Sequence, residues 1–267
     1  MKKAIAAAAM SLVLAEFASA EEKQGEAMLK VNPSILSVAD IQSVSPALAR
    51  FGSEVITNDL WKRGELSQRD RSIVTVAILI ARNQPAELKH YVGVALDSGV
   101  TTVEISEIVT HLAFYSGWPN AMSAIAVIKG VFHDRGIGAE QLAEASPVLL
   151  PLNQEAEKQR SETVEKNVGP ISPGLVKFTA DPLFLDLWQR PALKPRDRSL
   201  VTVSALIASG QSAQISYHLN RAMDNGLTAE EAGELVTHAA FYAGWPNAFS
   251  AAPVVGEVLR ARVTKAG

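Results

Sequence analysis

The sequence contains no cysteine among its 267 residues. This absence excludes a nucleophilic thiol, a CxxC redox pair and thiolate metal ligands, because each of these needs a sulfur atom on the chain. It also excludes disulfide bonds. An enzyme that works through its own thiols is therefore ruled out for this sequence.

The sequence also lacks a large excess of charge of either sign. It has 25 Lys and Arg residues and 28 Asp and Glu residues, so the formal net charge is -3. No block of basic residues indicates a nucleic-acid surface. The sequence also lacks a glycine-rich phosphate loop and the regular spacings of metal-binding motifs such as H-E-x-x-H. We therefore expect no nucleic-acid partner, no bound metal and no cofactor.

Long apolar runs are missing except at the N-terminus. Lys2 and Lys3 precede an apolar run over Ala4–Leu14, and the small residues of Ala18–Ala20 follow it. This pattern is typical of a signal peptide, with cleavage expected after Ala20. We therefore predict a periplasmic or secreted protein that has no membrane span after signal cleavage.

An internal repeat dominates the remaining sequence. Leu66–Gly130 aligns without gaps to Leu193–Glu257, at an offset of 127 positions and with 33 identities in 65 positions. The repeat divides the chain into five predicted segments, which are a signal peptide (1–20), an N-terminal arm (21–44), a first unit (45–135), a linker with a polar helix (136–171) and a second unit (172–262).

Both units have the apolar spacing of helices. Ile73, Val76, Ala77 and Ile80 recur at intervals of three and four, which places them on one helical face. Thr101 precedes Glu104 by three positions, as in a capping box at a helix N-terminus. The sequence therefore predicts an all-α fold built from two tandem helical units.

An aromatic stripe on the third helix of each unit is a candidate functional surface. His111, Tyr115 and Trp118 share one helical face in the first unit, and the second unit repeats them as His238, Tyr242 and Trp245. The stripe fits a pocket wall with an imidazole and a phenol. It also fits an aromatic packing seam between helices, in which the histidine is hydrogen-bonded inside the core.

Arg71 and Arg198 are a second candidate feature, because each follows an aspartate early in a helix. A guanidinium suits a clamp for a substrate carboxylate. The same position also suits an ion pair inside the protein.

The second helix is where the two units differ. The first unit has His90 and Tyr91, whereas the second has Tyr217 and His218 in the same columns. The exchange is compatible with one active and one structural copy, or with one composite site that draws on both copies.

Three stretches of the second unit carry a family resemblance, namely Arg196–Thr202, His218–Thr228 and Phe241–Ala248. They resemble the carboxymuconolactone decarboxylase family, and Arg69–Ala121 in the first unit resembles it too. The resemblance implies an all-α fold of the alkylhydroperoxidase D type, in which the two units form a pseudo-dimer. It also implies a homo-oligomer, with three tandem chains completing a ring of six units.

The resemblance further implies a carboxy-lyase that needs no cofactor. Such an enzyme removes carbon dioxide from a small carboxylated lactone or acid, or performs related lyase or isomerase chemistry. On this hypothesis His218 is the acid or base, Arg198 holds a carboxylate, and His238 or Tyr242 donates a hydrogen bond to the developing oxyanion. The predicted substrate-binding residues are Arg71, His111, Tyr115, Trp118 and Trp245.

Two other functions are compatible with the resemblance. A non-catalytic periplasmic binding or scaffold protein is favoured by the exchange of His and Tyr and by Ser72 and Ser199, which stand where the family's peroxidases have a glutamate. A peroxidase is disfavoured, because Gln211 and Gln214 occupy the columns of its CxxC pair. The expected export also argues for a substrate other than the lactone of the cytoplasmic pathway.

Overall fold

The computed structural model describes residues 36–266, with side chains through Thr264, and in this range the chain consists of helices joined by turns and loops. No strand occurs in this range, and the prediction of an all-α fold is confirmed. The predicted signal peptide and most of the predicted arm lie outside it. The twelve α-helices are α1 (Val38–Val44), α2 (Pro46–Phe51), α3 (Gln68–Ala81), α4 (Pro85–Asp97), α5 (Thr102–Tyr115), α6 (Trp118–Asp134), α7 (Gln154–Val168), α8 (Pro173–Phe178), α9 (Pro195–Ala208), α10 (Ile215–Asp224), α11 (Ala229–Ala243) and α12 (Trp245–Ala266).

The sequence repeat is also a structural repeat. Helices α2 to α6 recur in order as α8 to α12. Each unit also has a π-helical segment and a short 3-10 turn before its first long helix, at Gly52–Thr57 and Leu60–Lys62 and again at Thr179–Phe184 and Leu187–Gln189. None of the described helices has the length and apolar character that crossing a membrane requires.

The centre of the fold is the contact between α3 and α9. Both helices are buried on all sides over most of their length, from Asp70 to Ala81 and from Asp197 to Ala208. A helix that is buried all round lies inside a core rather than on its surface. The two central helices pack against each other, and the helices of both units surround them. The predicted pseudo-dimer is thereby confirmed.

The third helix of each unit packs across this contact. Helix α5 of the first unit lies against α9 of the second, and α11 of the second unit lies against α3 of the first. Capping boxes start both helices, formed by Thr101 with Glu104 and by Thr228 with Glu231. The side chains of α5 and α11 therefore meet residues of the opposite unit.

The repeated Gly-Trp-Pro-Asn sequence makes the turn that ends each of these helices. Gly117 and Gly244 have φ values of 90° and 93°, in the left-handed region that side chains rarely adopt. Asn120 donates from Nδ2 to the carbonyls of Ala81 and Ser116, both at 3.0 Å. The motif therefore ties the end of α3 to the end of α5.

The polar helix predicted in the linker is α7. Asn153 caps it by accepting from the Ala156 amide at 3.0 Å. Most of its side chains are exposed, but the guanidinium of Arg160 is buried and binds Glu157 one turn earlier. The linker helix therefore buries one charged side chain, that of Arg160, against the rest of the protein.

A reciprocal ion-pair network joins the starts of the two central helices. Arg69 donates to Asp197 at 2.9 Å, and Arg196 donates to Asp70 at 2.9 Å and to Asp197 at 2.9 Å. Both aspartate side chains are nearly inaccessible to solvent. The network therefore links the two units at their duplicated contact.

The network predicts a marked difference between two aspartate substitutions. Asp197→Ala removes the shared acceptor of Arg69 and Arg196 and should lower the free energy of unfolding by roughly 3 kcal/mol, measured by urea denaturation. Asp97→Ala removes an exposed partner of Arg135 and should cost about 1 kcal/mol or less. Equal losses in both variants would contradict a special role for the buried network.

Candidate functional site

Two equivalent polar clusters lie at the contact between the units. Each takes a tryptophan, an arginine and a threonine from one unit, and a glutamate, a histidine and a tyrosine from the other. The first cluster consists of Trp61, Arg71, Thr75, Tyr91, Glu234, His238 and Tyr242. The second cluster consists of Trp188, Arg198, Thr202, His218, Glu107, His111 and Tyr115.

A buried arginine forms the centre of the second cluster. Arg198 donates through Nη2 to Glu107 at 2.8 Å and to the backbone carbonyl of Arg190 at 2.9 Å. The Arg190 side chain also binds Glu107, at 2.7 Å. Arg198 and Glu107 are both inaccessible to solvent. The pair therefore neutralises itself inside the protein, as the ion-pair interpretation of Arg198 expects.

The first cluster repeats this arrangement with the units exchanged. Arg71 pairs with Glu234 at 2.9 Å and donates to the carbonyl of Arg63 at 2.8 Å. Arg63 also donates to Glu234 at 2.9 Å. Two arginines thus hold one carboxylate in each cluster.

The histidine beside each arginine is held in one tautomer. Nδ1 of His111 lies 3.4 Å from Nη1 of Arg198, and Nδ1 must accept because a guanidinium only donates. The ring proton is then on Nε2, which donates to the hydroxyl of Thr202 at 2.7 Å. His238 has the same contacts with Arg71 and Thr75, at 3.3 Å and 2.8 Å.

Both of these histidines are neutral at neutral pH. Burial lowers the pKa of His238 to about 3, and the Arg71 cation adds to the effect. Burial, with Arg198, also lowers the pKa of His111 well below its ordinary value. Since both ring nitrogens already have partners, His111 and His238 orient the arginines and have no nitrogen left for a substrate.

Hydrogen bonds among three aromatic side chains close the first cluster. Trp61 donates from Nε1 to the hydroxyl of Tyr242 at 2.7 Å, and the Tyr242 and Tyr91 hydroxyls lie 2.9 Å apart. The Tyr91 ring also stacks on Trp61, with centroids 6.0 Å apart. The two phenols are therefore hydrogen-bonded to each other.

The second cluster has unused hydrogen-bonding groups at the same place. Trp188 donates to the hydroxyl of Tyr115 at 2.8 Å, but His218 stands where the first cluster has Tyr91. Among the described residues, the O–H of Tyr115 has no acceptor and the buried Nδ1 of His218 has no partner. A donor and an imidazole nitrogen thus remain unpaired in neighbouring rings, whose centroids are 5.3 Å apart.

The protonation states of this pair follow from their surroundings. Burial, together with the nearby Arg221 cation, lowers the pKa of His218 to about 4. Burial raises the pKa of Tyr115 above its usual value. At neutral pH the cluster therefore presents a neutral imidazole and a protonated phenol.

A cavity of about 370 Å³ adjoins the second cluster. Trp188 and Tyr217 line it, and their rings lie 5.6 Å and 5.0 Å from that of His218. Arg221 lines it as well, with its guanidinium carbon 4.3 Å from the centroid of the Trp188 ring. A cavity of this size can hold a small organic molecule.

The structure divides the four predicted catalytic residues between the two clusters. His218 and Arg198 lie in the second cluster, whereas His238 and Tyr242 lie in the first. Helix α11, which carries His238 and Tyr242, packs on the central helix of the other unit, so these residues do not join His218. Their equivalents beside His218 are His111 and Tyr115.

The predicted substrate-binding residues are divided in a similar way. Arg71 belongs to the first cluster, and His111 and Tyr115 belong to the second. Trp118 and Trp245 begin α6 and α12, are 60% and 50% exposed, and have their ring contacts with Phe114 and Phe241. These two tryptophans therefore lie on the surface, outside both clusters.

Sequence reasoning missed several residues of the clusters. The repeat contains a signal for Glu107 and Glu234, which are identical in the two units and stand four positions before the predicted histidines. Helical spacing contains a signal for Arg221, three positions after His218. No comparable signal exists for Arg160, which lies outside the repeat. In the part of the chain that the structure describes, no three His, Asp or Glu side chains come together as metal ligands.

Comparison with known proteins agrees with this repeated architecture. The model of the carboxymuconolactone decarboxylase family matches the chain twice, over residues 46–130 and 173–257. The 4-carboxymuconolactone decarboxylase of Acinetobacter baylyi is 29% identical over 106 residues, which cover 40% of this chain and 79% of that protein. The nitrosuccinic acid decarboxylase of Metarhizium robertsii is 29% identical over 113 residues, with the same two coverages of 40% and 79%.

Among solved structures, one similar chain is described as a gamma-carboxymuconolactone decarboxylase subunit from Burkholderia xenovorans. It has a TM-score of 0.45 and 18% identity, over 85% of this chain and 90% of that chain. The two family matches together span more than half of the sequence. The chain therefore belongs to the carboxymuconolactone decarboxylase family, with one family domain in each of its two units.

Proposed function

We propose that this protein is a carboxy-lyase without a cofactor, and that the second cluster is its working site. The substrate is a small carboxylated lactone or acid. The observation that carries the proposal is the contrast between the clusters, since Tyr242 and Tyr91 share a hydrogen bond whereas Tyr115 and His218 make none with each other and leave a phenol O–H and an imidazole nitrogen unpaired. The family membership and the two decarboxylases among the similar proteins support the reaction class.

The chemistry asks the protein for two groups. Breaking the bond between carbon and the departing carboxylate releases carbon dioxide and leaves an electron pair, which a conjugated carbonyl accepts as an enolate. Tyr115 donates its O–H to the enolate oxygen, because its raised pKa keeps the phenol protonated at neutral pH. A hydrogen bond to a developing oxyanion stabilises the transition state more than the ground state.

His218 supplies the proton that the carbon needs. The free imidazole is neutral, since burial and Arg221 hold its pKa at about 4. A bound carboxylate lies close to the ring in this proposal, and a nearby negative charge favours the protonated form. His218 therefore takes up a proton as the substrate binds, and transfers it to the carbanion after carbon dioxide leaves.

Arg198 has a positioning role in this proposal rather than the role of a carboxylate clamp. Its guanidinium is inaccessible and neutralised by Glu107. Through His111 it sets the orientation of Tyr115, whose ring stacks on the imidazole with centroids 4.7 Å apart. The carboxylate of the substrate then needs another partner on the cavity wall.

The first cluster has a structural role in this proposal. Its phenols, tryptophan and imidazole all have partners within the protein. These hydrogen bonds within the first cluster favour the second candidate function, which is a binding or scaffold protein without catalysis. The active second cluster distinguishes the enzyme from this alternative.

The cellular location and the oligomeric state of the protein form part of the proposal. We propose export through the signal peptide at residues 1–20 to the periplasm or the outside of the cell. We also propose a homotrimer, whose contacts bury exposed apolar side chains that recur in both units. These side chains are Trp118 and Met122 in the first unit, and Trp245 and Phe249 at the equivalent positions of the second. Ile125, which is an alanine in the second unit, is also exposed and lines an apolar groove of about 630 Å³, which supports a subunit contact there.

A matched pair of variants tests the working site. His218→Gln removes the proton donor and should lower the turnover of carboxymuconolactone, followed by ultraviolet absorbance, by about 100-fold or more. Tyr91→Phe alters the equivalent position of the first unit and should leave turnover within a few-fold of the wild type. The reverse pattern would assign the chemistry to the first cluster.

The choice of substrate has its own control. Small carboxylated lactones and β-oxo or β-nitro acids should be assayed beside carboxymuconolactone, because each gives a stabilised carbanion when carbon dioxide leaves. Wild-type protein that releases carbon dioxide from none of these acids would leave the binding or scaffold function as the better account.

The assembly is tested by measuring the molar mass of the protein in solution. Light scattering should give about three times the mass of one mature chain, and the double variant Trp118→Glu, Trp245→Glu should give the mass of a single chain, since charged groups oppose burial at an apolar contact. Val148→Glu places the same charge on an exposed side chain outside the proposed subunit contact and should leave the mass unchanged. A wild-type protein with the mass of one chain would contradict the trimer.

A further inference from the structure

The linker helix α7 forms one wall of the cavity beside the second cluster. Arg160 of α7 and Arg221 of α10 line this cavity together with Phe184, Trp188 and Tyr217. Helix α7 spans Gln154–Val168 and lies outside both family matches, which end at residue 130 and begin again at residue 173. Part of the cavity therefore comes from a segment that the repeated family domain does not supply.

Two guanidinium groups lie against one aromatic ring in this cavity. The central carbon of Arg160 is 4.2 Å from the centroid of Phe184, and that of Arg221 is 5.8 Å from the same centroid. Two cations beside the same ring repel each other, and a nearby anion relieves that repulsion. The arrangement therefore favours a negatively charged occupant.

The carboxylates nearby neutralise only part of this charge. Glu157 accepts from Arg160 at 2.8 Å, and Asp224 accepts from Arg262 at 2.8 Å. Among the described residues, Arg221 makes no side-chain hydrogen bond and no ion pair. One positive charge at the cavity thus has no counter-ion within the described structure.

Buried donors at the same place have no acceptor. Nη1 of Arg160 and Nε of Arg221 are inaccessible to solvent and have no hydrogen-bond partner among the described residues. The side chain of Arg160 is only 6% exposed, although its group is charged. Buried charged donors are normally paired, so these two N–H groups are suited to a ligand oxygen.

The first unit lacks this arrangement. Val94 occupies the position equivalent to Arg221, and Thr57 occupies the position equivalent to Phe184. The aromatic ring and the cation therefore occur in the second unit alone. This difference accompanies the exchange of Tyr91 for His218 at the equivalent position of the second cluster.

We propose that Arg160 and Arg221 form a clamp that holds the carboxylate of a small organic anion in this cavity. The walls of Trp188, Tyr217 and Phe184 suit a planar, unsaturated ligand body. That the anion is the substrate, and that the clamp places it beside His218, rests on the proposed function. The clamp itself needs only the geometry of the cavity. It makes the linker helix part of the site and determines the specificity for a carboxylate.

Calorimetric titration with benzoate tests the clamp without any turnover. Wild-type protein binds benzoate and binds the neutral isostere benzamide far more weakly. Arg160→Gln and Arg221→Val each weaken benzoate binding by about tenfold or more, because each removes a charged donor. Valine is the residue that the equivalent helix of the first unit has, so Arg221→Val keeps the helix intact.

The control is Lys158→Gln, which removes an exposed charge from the same helix and leaves benzoate binding unchanged. Benzoate binding that is absent in the wild type, or equal in the wild type and both arginine variants, overturns the clamp. Weakened binding in both arginine variants of a protein that turns over no carboxylated acid would retain the clamp and reject the proposed function. If both arginine variants bind benzoate normally and turnover depends on His218, the clamp is rejected and the proposed function is retained.

Discussion

The buried pairing of an arginine of one unit with a glutamate and a histidine of the other is the interaction on which the structure depends. Arg198 needs Glu107 and His111, and Arg71 needs Glu234 and His238, so neither cluster can be completed by a single unit. Removing a glutamate would leave a charged guanidinium in the core, which is far more costly than losing the same pair at the surface. The pairing therefore holds α5 and α11 against the central helix of the opposite unit.

The same constraint has opposite consequences in the two clusters. In the first, the hydroxyls of Tyr91 and Tyr242 share a hydrogen bond, and Tyr242 also accepts from Trp61. In the second, no hydrogen bond joins the imidazole of His218 to the hydroxyl of Tyr115, and a cavity with arginines on its wall adjoins the cluster. The Arg–Glu–His pairing is intact in both clusters, so this difference at the position of Tyr91 and His218 leaves the contact between the units unchanged.

Helical spacing, caps and the repeat were sufficient to predict the fold. Thr101 with Glu104 and Thr228 with Glu231 cap helices where the sequence indicates, the 127-residue offset predicts two repeated units, and the family resemblance implies that these form a pseudo-dimer. The site was harder to predict from the sequence. Helical spacing shows which residues share a helical face, but it does not show which other helix packs against that face. His218 and His238 are twenty positions apart in one unit, yet α11 carries His238 to the first cluster. Burial likewise decides the role of Arg198, which its sequence context left open between a clamp and an ion pair.

The central claim is that one working site combines Tyr115 of the first unit with His218 of the second. The most direct measurement compares the carboxy-lyase activity of Tyr115→Phe with that of Tyr242→Phe, since the two variants remove the same hydroxyl from equivalent positions of the repeat. The account predicts that kcat falls by about 100-fold in Tyr115→Phe and changes little in Tyr242→Phe. A loss confined to Tyr242→Phe, or an equal loss in both, would contradict it.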